Sequence, residues 1–291
     1  MTQHKSQLSH ALDGYSTVSH TANYDKARTD YTVHIIDTII DHTLMLYMEL
    51  VANKKYHLKL IDIGSGTGKF TRALYNNITE LQITHPYYSY PRHIDIIGVE
   101  PVESMRMKSI ERAPYIPVIN GTGDHIPLED KSIDIVYCSQ SYHWFATLSS
   151  LREIHRVLCN NGYLSLVWNT RNTAVPWVRK LDDIIDSYYP PDVPRQQNNS
   201  WRQSIDDAVA QHMYTPLQHI ELINHIITYN TVDDIINTVL SISVIAKRSE
   251  HEKQICINRV KQLLSTHPAT SGKLTFELPY RTDIYWCEKI D

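Results

Sequence analysis

Three of the chain's nine glycines, Gly64, Gly66 and Gly68, follow the apolar run LKLIDI in the segment LIDIGSGTGKF. A buried strand that must turn at once into a helix needs residues that tolerate positive φ. It also needs bare backbone where amides and a helix N-terminus approach a ligand. The segment meets both needs, so it predicts an α/β sheet with a ligand crevice at the end of its first strand.

The pattern downstream agrees. LKLIDI is followed by TRALYNNI, IDIIGV by ESMRMKSIERA, then come YIPVIN, SIDIVYCS with TLSSLREIHRVL, and YLSLVWN. Short apolar runs alternating with amphipathic stretches indicate parallel strands covered on both faces, a doubly wound sheet. Ahead of them, Ile36, Ile39, Ile40, Leu46, Met48 and Leu50 recur near helical spacing, which predicts a helix over 33–52 packed on the sheet. After residue 170 the alternation stops. A Pro-rich stretch, YYPPDVPRQQNNS, leads to helical pieces near 201–212 and 231–266, while HIELINHIITY and LPYRTDIYWC read as two further strands. The expected organisation is one domain over 1–291: an N-terminal segment and helix (1–57), a cofactor-binding core (58–170), and a helical lid with the last two strands (171–291).

Three ligand classes compete for the glycine turn. A Walker loop needs Gly where Ile63 stands and Ser or Thr where Phe70 stands, so it fails twice. The dinucleotide fingerprint needs its third Gly at Lys69, a partial match. Asp62, just ahead of the glycines, would repel a pyrophosphate but suits a ligand carrying an ammonium and a sulfonium. The charge favours S-adenosylmethionine.

Here the sequence resembles the class I S-adenosylmethionine-dependent methyltransferases, because DIGSGTGKFTRAL is similar to their first motif and further matches follow in order. IDIIGVEP ends in Glu100, at the place of the acidic residue that takes both ribose hydroxyls. GTGDHIPL puts Asp124 where the family has a group facing the adenine amino group. YCSQSYHWF with LREIHRVLCNNGYLSLVWN, together with YDKAR at 24–28 and LPYRTDIYW, resembles the type 11 subgroup that includes trans-aconitate and related small-molecule methyltransferases. The resemblance implies a Rossmann-like sheet of seven strands, mostly parallel with an antiparallel final strand, plus a helical lid. It further implies a cofactor site of Asp62, Gly64, Ser65, Gly66 and Gly68 at the turn, Glu100, Pro101 and Met105 after the second strand, Asp124, and Ser139 and Gln140 after the fourth. Tyr24 and Arg28 would fold over the methionine end. The stretch between Gly68 and Glu100 is longer than the family pattern, which predicts an insertion around LQITHPYYSYPRH.

His143, just beyond the fourth strand, is the candidate catalytic base or substrate-orienting residue, with Tyr142 and Trp144 as apolar walls. It forms no HxH or HxxxH pair, so no metal is expected. A net charge of −4 without a basic excess argues against nucleic acid as partner. Cys138, Cys159, Cys256 and Cys287 lie far apart and read as free thiols, and no segment has the profile of a signal peptide or membrane span, so the expected location is cytoplasmic. The expected partner is a small-molecule substrate. Two alternatives stand beside methyl transfer: an NAD-linked oxidoreductase on a related sheet, and a non-catalytic S-adenosylmethionine-binding protein.

Overall fold

A computed structural model describes residues 31–47, 57–84, 93–191 and 193–291. Tyr24, Arg28 and the insertion over 85–92 lie outside the described residues. The sheet has seven strands: β1 (His57–Ile63), β2 (His93–Val99), β3 (Val118–Ile119), β4 (Ile133–Ser139), β5 (Leu158–Arg171), β6 (Gln218–Tyr229) and β7 (Phe276–Glu288). Their order is β3-β2-β1-β4-β5-β7-β6. The first five are parallel, and β7 runs antiparallel to both β5 and β6. The chain therefore steps one way from β1 to β3 and the other way from β4 onward. The carboxyl ends of β1 and β4 flank that switch, where open α/β sheets leave a crevice.

Strand alternation sorts the core into two layers. Leu58 and Leu60 of β1 face a layer built by Ile35, Ile36 and Ile39 of α1 (Val33–Ile40) and Phe70, Leu74 and Ile78 of α2 (Lys69–Thr84). Ile61 and Ile63 face the other layer, with Leu151, Ile154 and Val157 of α4 (Leu148–Val157) and Ile205 and Ala208 of α6 (Arg202–Ala210). Between these, α3 (Glu103–Arg112) follows β2. Helix α1 is capped by Thr32 and passes into a π-turn over Asp41–Met45; the helical run expected over 33–52 is present through residue 47, and 48–52 lie outside the described residues. The run YIPVIN yields only the two-residue β3, because Pro114 and Pro117 bring no N–H to a ladder; Pro117 contributes its carbonyl, which accepts from Gly98 N at 2.9 Å.

The strand lengths explain the rest of the architecture. Pairing of β4 with β5 ends at Ser139 with Val167, but pairing of β5 with β7 continues to Arg171 with Tyr280. The β5, β7 and β6 strands thus project past the crevice and carry a third core. It is formed by α5 (Pro176–Asp186), α7 (Val232–Leu240), α8 (Ser243–Ala246) and α9 (Glu250–Thr266) against Tyr229, Phe276, Leu278 and Tyr280. Helix α6 packs on the sheet instead, so the helices after residue 171 divide between two cores. All four cysteines are free. Among the described residues no helix is long and apolar enough to cross a membrane.

Candidate active site

Gly64, Gly66 and Gly68 have φ of +70°, +57° and +74°, the left-handed region where a Cβ is costly. The amides of Gly64 and Ser65 donate to the Val99 carbonyl at 2.7 and 3.2 Å, hooking the turn over the end of β2. The three glycines do different work. A Cβ on Gly64 would lie 2.5 Å from Ser141 Cβ, and one on Gly68 would lie 2.3 Å from Ser109 Oγ. Those two admit neighbouring protein. At Gly66 the nearest atom to such a Cβ is Met105 Sδ at 3.8 Å, so the space there is open, and Gly66 lines a cavity of about 240 Å³.

Glu100 is buried at the end of β2. Its Oε2 accepts from Gly66 N at 2.9 Å and its Oε1 from Val102 N at 2.8 Å, so it braces the glycine turn against the start of α3. Burial pushes its carboxyl above the usual range. Asp62 stands behind the turn: its Oδ2 accepts from Thr71 Oγ1 at 2.7 Å, and burial pushes its carboxyl up to about 7. Asp62 Oδ1 and Ser65 Oγ are buried with no hydrogen-bond partner, an anomaly where nearly all such atoms are paired.

Gly64, Ser65, Gly66, Glu100, Pro101 and Met105 come together around one end of the cavity, with Asp124 and with Ser139 and Gln140 beyond β4. Asp62 and Gly68 do not line it. The Asp62 side chain points to Thr71 on α2, and Gly68 faces α3, so both shape the turn from behind. Asp124 sits on a loop pressed against Phe145, where a Cβ on Gly123 would come within 2.3 Å of the ring, and its Oδ1 accepts from Thr147 Oγ1 at 3.4 Å. Gln140 adopts φ +57° without being glycine; its N donates to Val167 O at 2.8 Å and its Nε2 to Asn169 O at 2.9 Å. Strain of this kind gathers where backbone geometry serves a site. Ser139 Oγ is hydrogen-bonded to the Tyr31 hydroxyl, which brings the N-terminal side of α1 onto the cavity wall.

His143 lines the cavity on a short 3₁₀ turn, Tyr142–Trp144. Trp168 Nε1 donates to His143 Nδ1 at 3.2 Å, which in the neutral ring places the proton on Nε2. The ring is thereby set as a donor through Nε2. Trp144 lines the cavity as expected, but Tyr142 does not: it is fully buried, with its hydroxyl 2.7 Å from Ser204 Oγ. Consecutive residues of a tight turn point different ways, and the phenol took the core side.

Sequence reasoning missed the far wall. Trp168, Asn169 and Arg171 from the end of β5, Tyr189 and Arg195 from the Pro-rich stretch, and Tyr280 of β7 all line the cavity. VWNTR ends a parallel strand at the crevice side, so its residues carried a usable signal. Tyr189 and Arg195 carried none.

A parallel sheet with a switch point, a left-handed glycine turn and a buried acidic residue ending the second strand together define a nucleoside-type cofactor site on a Rossmann-like fold. The buried Ser65 Oγ without a partner, the Glu100 carboxyl and the open cradle at Gly66, all on the cavity lining, fit a ligand bearing hydrogen-bond donors. A family model described as a methyltransferase domain matches residues 61–166. An uncharacterized methyltransferase-like protein of Schizosaccharomyces pombe is 30% identical over 271 residues, covering 92% of this chain and 93% of that one. An uncharacterized methyltransferase of Mycobacterium bovis is 28% identical over 261 residues, 89% of each. Among solved structures, a putative type II methyltransferase from Anaeromyxobacter dehalogenans shares the fold with a TM-score of 0.56 at 14% identity, over 90% of this chain and 97% of that one. The chain belongs to the S-adenosylmethionine-dependent methyltransferase family. Membership in it removes the oxidoreductase alternative.

Proposed function

We propose that this protein binds S-adenosylmethionine across the ends of β2, β1 and β4 and methylates a small molecule held against the far wall. The observation that carries the reading is the Glu100 to Gly66 hydrogen bond beside an open left-handed glycine, because it couples a hydroxyl-binding carboxylate to a backbone cradle. Each Glu100 oxygen accepts one amide and keeps a second lone pair for a ribose hydroxyl. Gly64, Ser65 and Gly66 would hold the ligand by backbone, Asp124 would face the adenine amino group, and Pro101 and Met105 would pack beside the ribose. Ser139 and Gln140 would meet the methionine end. Tyr24 and Arg28 are assigned to that end by resemblance alone.

When bound, S-adenosylmethionine supplies a methyl already activated by its sulfonium, so the chain's task is alignment and exclusion of water. The projecting β5 to β7 strands and their helices close the cavity opposite the turn. His143, with Trp168 occupying its Nδ1, orients the acceptor by donating from Nε2, which supports the orienting role over the base role. The absence of a basic excess and the small cavity favour a small acceptor over nucleic acid, and four free thiols suit the cytoplasm. The test is incubation of the protein with methyl-labelled S-adenosylmethionine and a fractionated extract. Label transferred to a small molecule is expected; label entering only macromolecules, or none transferred by protein that binds the cofactor, would contradict the proposal.

A further inference from the structure

Asn169 lines the cavity from the outer end of β5 at 9% exposure, and its side-chain amide is tied at one end only. It stands opposite Thr282 in the ladder of β5 and β7, and the fully buried Thr282 Oγ1 donates to Asn169 Oδ1 at 2.6 Å. That bond fixes which way the amide faces. With the amide turned over, Nδ2 would donate to Thr282, and the Thr282 proton would be buried with no acceptor among the described residues. Nδ2 therefore points away from β7. It has no hydrogen-bond partner among the described residues and is not closed off by protein, so its N–H bonds open on the cavity that Asn169 lines.

The donor is also held in place along its own strand. The Asn169 carbonyl accepts from Gln140 Nε2 at 2.9 Å, so the residue is gripped by β7 on one side and by the end of β4 on the other. It lies beyond the contacts proposed for the cofactor. Pairing of β4 with β5 ends at Ser139 with Val167, and Asn169 is two residues further along β5, about 7 Å at ~3.4 Å per residue. Its neighbour Trp168 faces the other side of the strand and holds His143. Asn169 thus belongs to the wall against which the methyl acceptor is placed. The arginines of that wall, Arg171 and Arg195, are paired with Asp182 and Asp186, each at 2.6 Å, which leaves Asn169 as a neutral donor of fixed direction.

We infer that Asn169 is a specificity-determining residue for methyl transfer: its Nδ2 donates to a hydroxyl or carbonyl oxygen of the methyl acceptor, and Thr282 is the positioning residue that aims it. The inference rests on the methyl-transfer reading. An ammonium, or any other group that offers only N–H bonds, would meet the N–H bonds of Nδ2 with nothing to accept them, so this part of the wall selects for a lone pair.

The test uses the full chain, with the extract fraction that takes label from methyl-labelled S-adenosylmethionine as the probe and calorimetric affinity for S-adenosylhomocysteine measured beside it. Asn169→Ala should lower kcat/KM about tenfold while leaving S-adenosylhomocysteine affinity within twofold. Asn169→Asp keeps the shape and the bond from Thr282 but turns lone pairs to the cavity in place of N–H bonds, so it should lose at least as much as Asn169→Ala. A side chain with only a structural role would be rescued by that change. Thr282→Val, which frees the amide to turn, should lower kcat/KM about threefold or more, and Thr282→Ser should restore it to within twofold. Asn169→Asp working at the parent rate, or an acceptor whose only oxygens are carboxylates, would overturn the inference. So would a tenfold loss of S-adenosylhomocysteine affinity in Asn169→Ala, because Asn169 would then serve the cofactor. Failure of the parent chain to bind S-adenosylhomocysteine, or to label any fraction, would instead count against the methyl-transfer proposal itself.

Discussion

Glu100→Gln isolates what the end of β2 contributes. The side chain keeps its shape, but one carboxylate oxygen becomes an NH₂ that cannot accept, so either Gly66 N or Val102 N faces a donor. A hydrogen bond to a charged group is worth about 1.5–3 kcal/mol. Part of that loss is offset, because the carboxyl is buried and already disfavoured in its charged form. A net cost of about 1–2 kcal/mol follows, and with a domain of this size a fall in Tm of roughly 2–8 °C. The effect on ligand binding is separable from the effect on stability. Two ribose hydroxyls need an acceptor each and the amide retains one, so S-adenosylhomocysteine affinity should fall about tenfold or more. Calorimetric titration alongside thermal unfolding measures both. A folded Glu100→Gln variant that binds S-adenosylhomocysteine within twofold of the parent chain would refute the assignment of the β2 end to the ribose.

Gly66→Val should fold, since the nearest protein atom to a new Cβ is 3.8 Å away, yet lose S-adenosylhomocysteine binding by at least about a hundredfold, because a β-branched residue at φ +57° both strains the turn and fills the cradle; retained affinity in a folded variant would remove the turn from the site. The Asp62 carboxyl is raised from its ordinary 3.8 to about 7, so the folded chain holds a proton that the unfolded chain has released between about pH 4 and 7. Its contribution is intact below about pH 4 and is lost as pH rises through about 7, at most about 4 kcal/mol. Asp62→Asn should therefore gain stability over the parent chain as pH rises from about 5 to 8 in urea unfolding, and parallel curves would contradict this. His143→Gln can accept from Trp168 and still donate, so turnover should stay within about tenfold with cofactor affinity unchanged; a loss beyond about a hundredfold would restore the base role.

What was legible in the sequence follows from how locally each feature is determined. The five parallel strands were readable because a buried strand must be mostly apolar along its length, as β4 is apart from Asp134 and Ser139. The glycine turn was readable because left-handed backbone selects Gly. Even so, the sequence alone did not separate Gly66, whose open side meets the cavity, from Gly64 and Gly68, whose open sides meet Ser141 and Ser109; that distinction depends on residues more than 40 positions away. Asp62 read as a cofactor contact, but strand alternation aims it at Thr71. The helical region after residue 171 read as one lid, whereas α6 joined the sheet core, because Trp201, Ile205 and Ala208 pack with Tyr142 and Trp168 of the distant strands and turns. Arg171 and Arg195 were invisible for a similar reason. Their partners Asp182 and Asp186 come from α5, and only the folding of that helix over the projecting strands turns two ordinary arginines into one wall.

Titration of the full chain with S-adenosylmethionine and, separately, with NADH tests the central claim most directly, since the two ligands share an adenosine and differ in the group beside it. The account predicts saturable one-to-one heat with S-adenosylmethionine, none with NADH, and loss of the first signal in Gly66→Val. Tight NADH binding with no S-adenosylmethionine signal would contradict it.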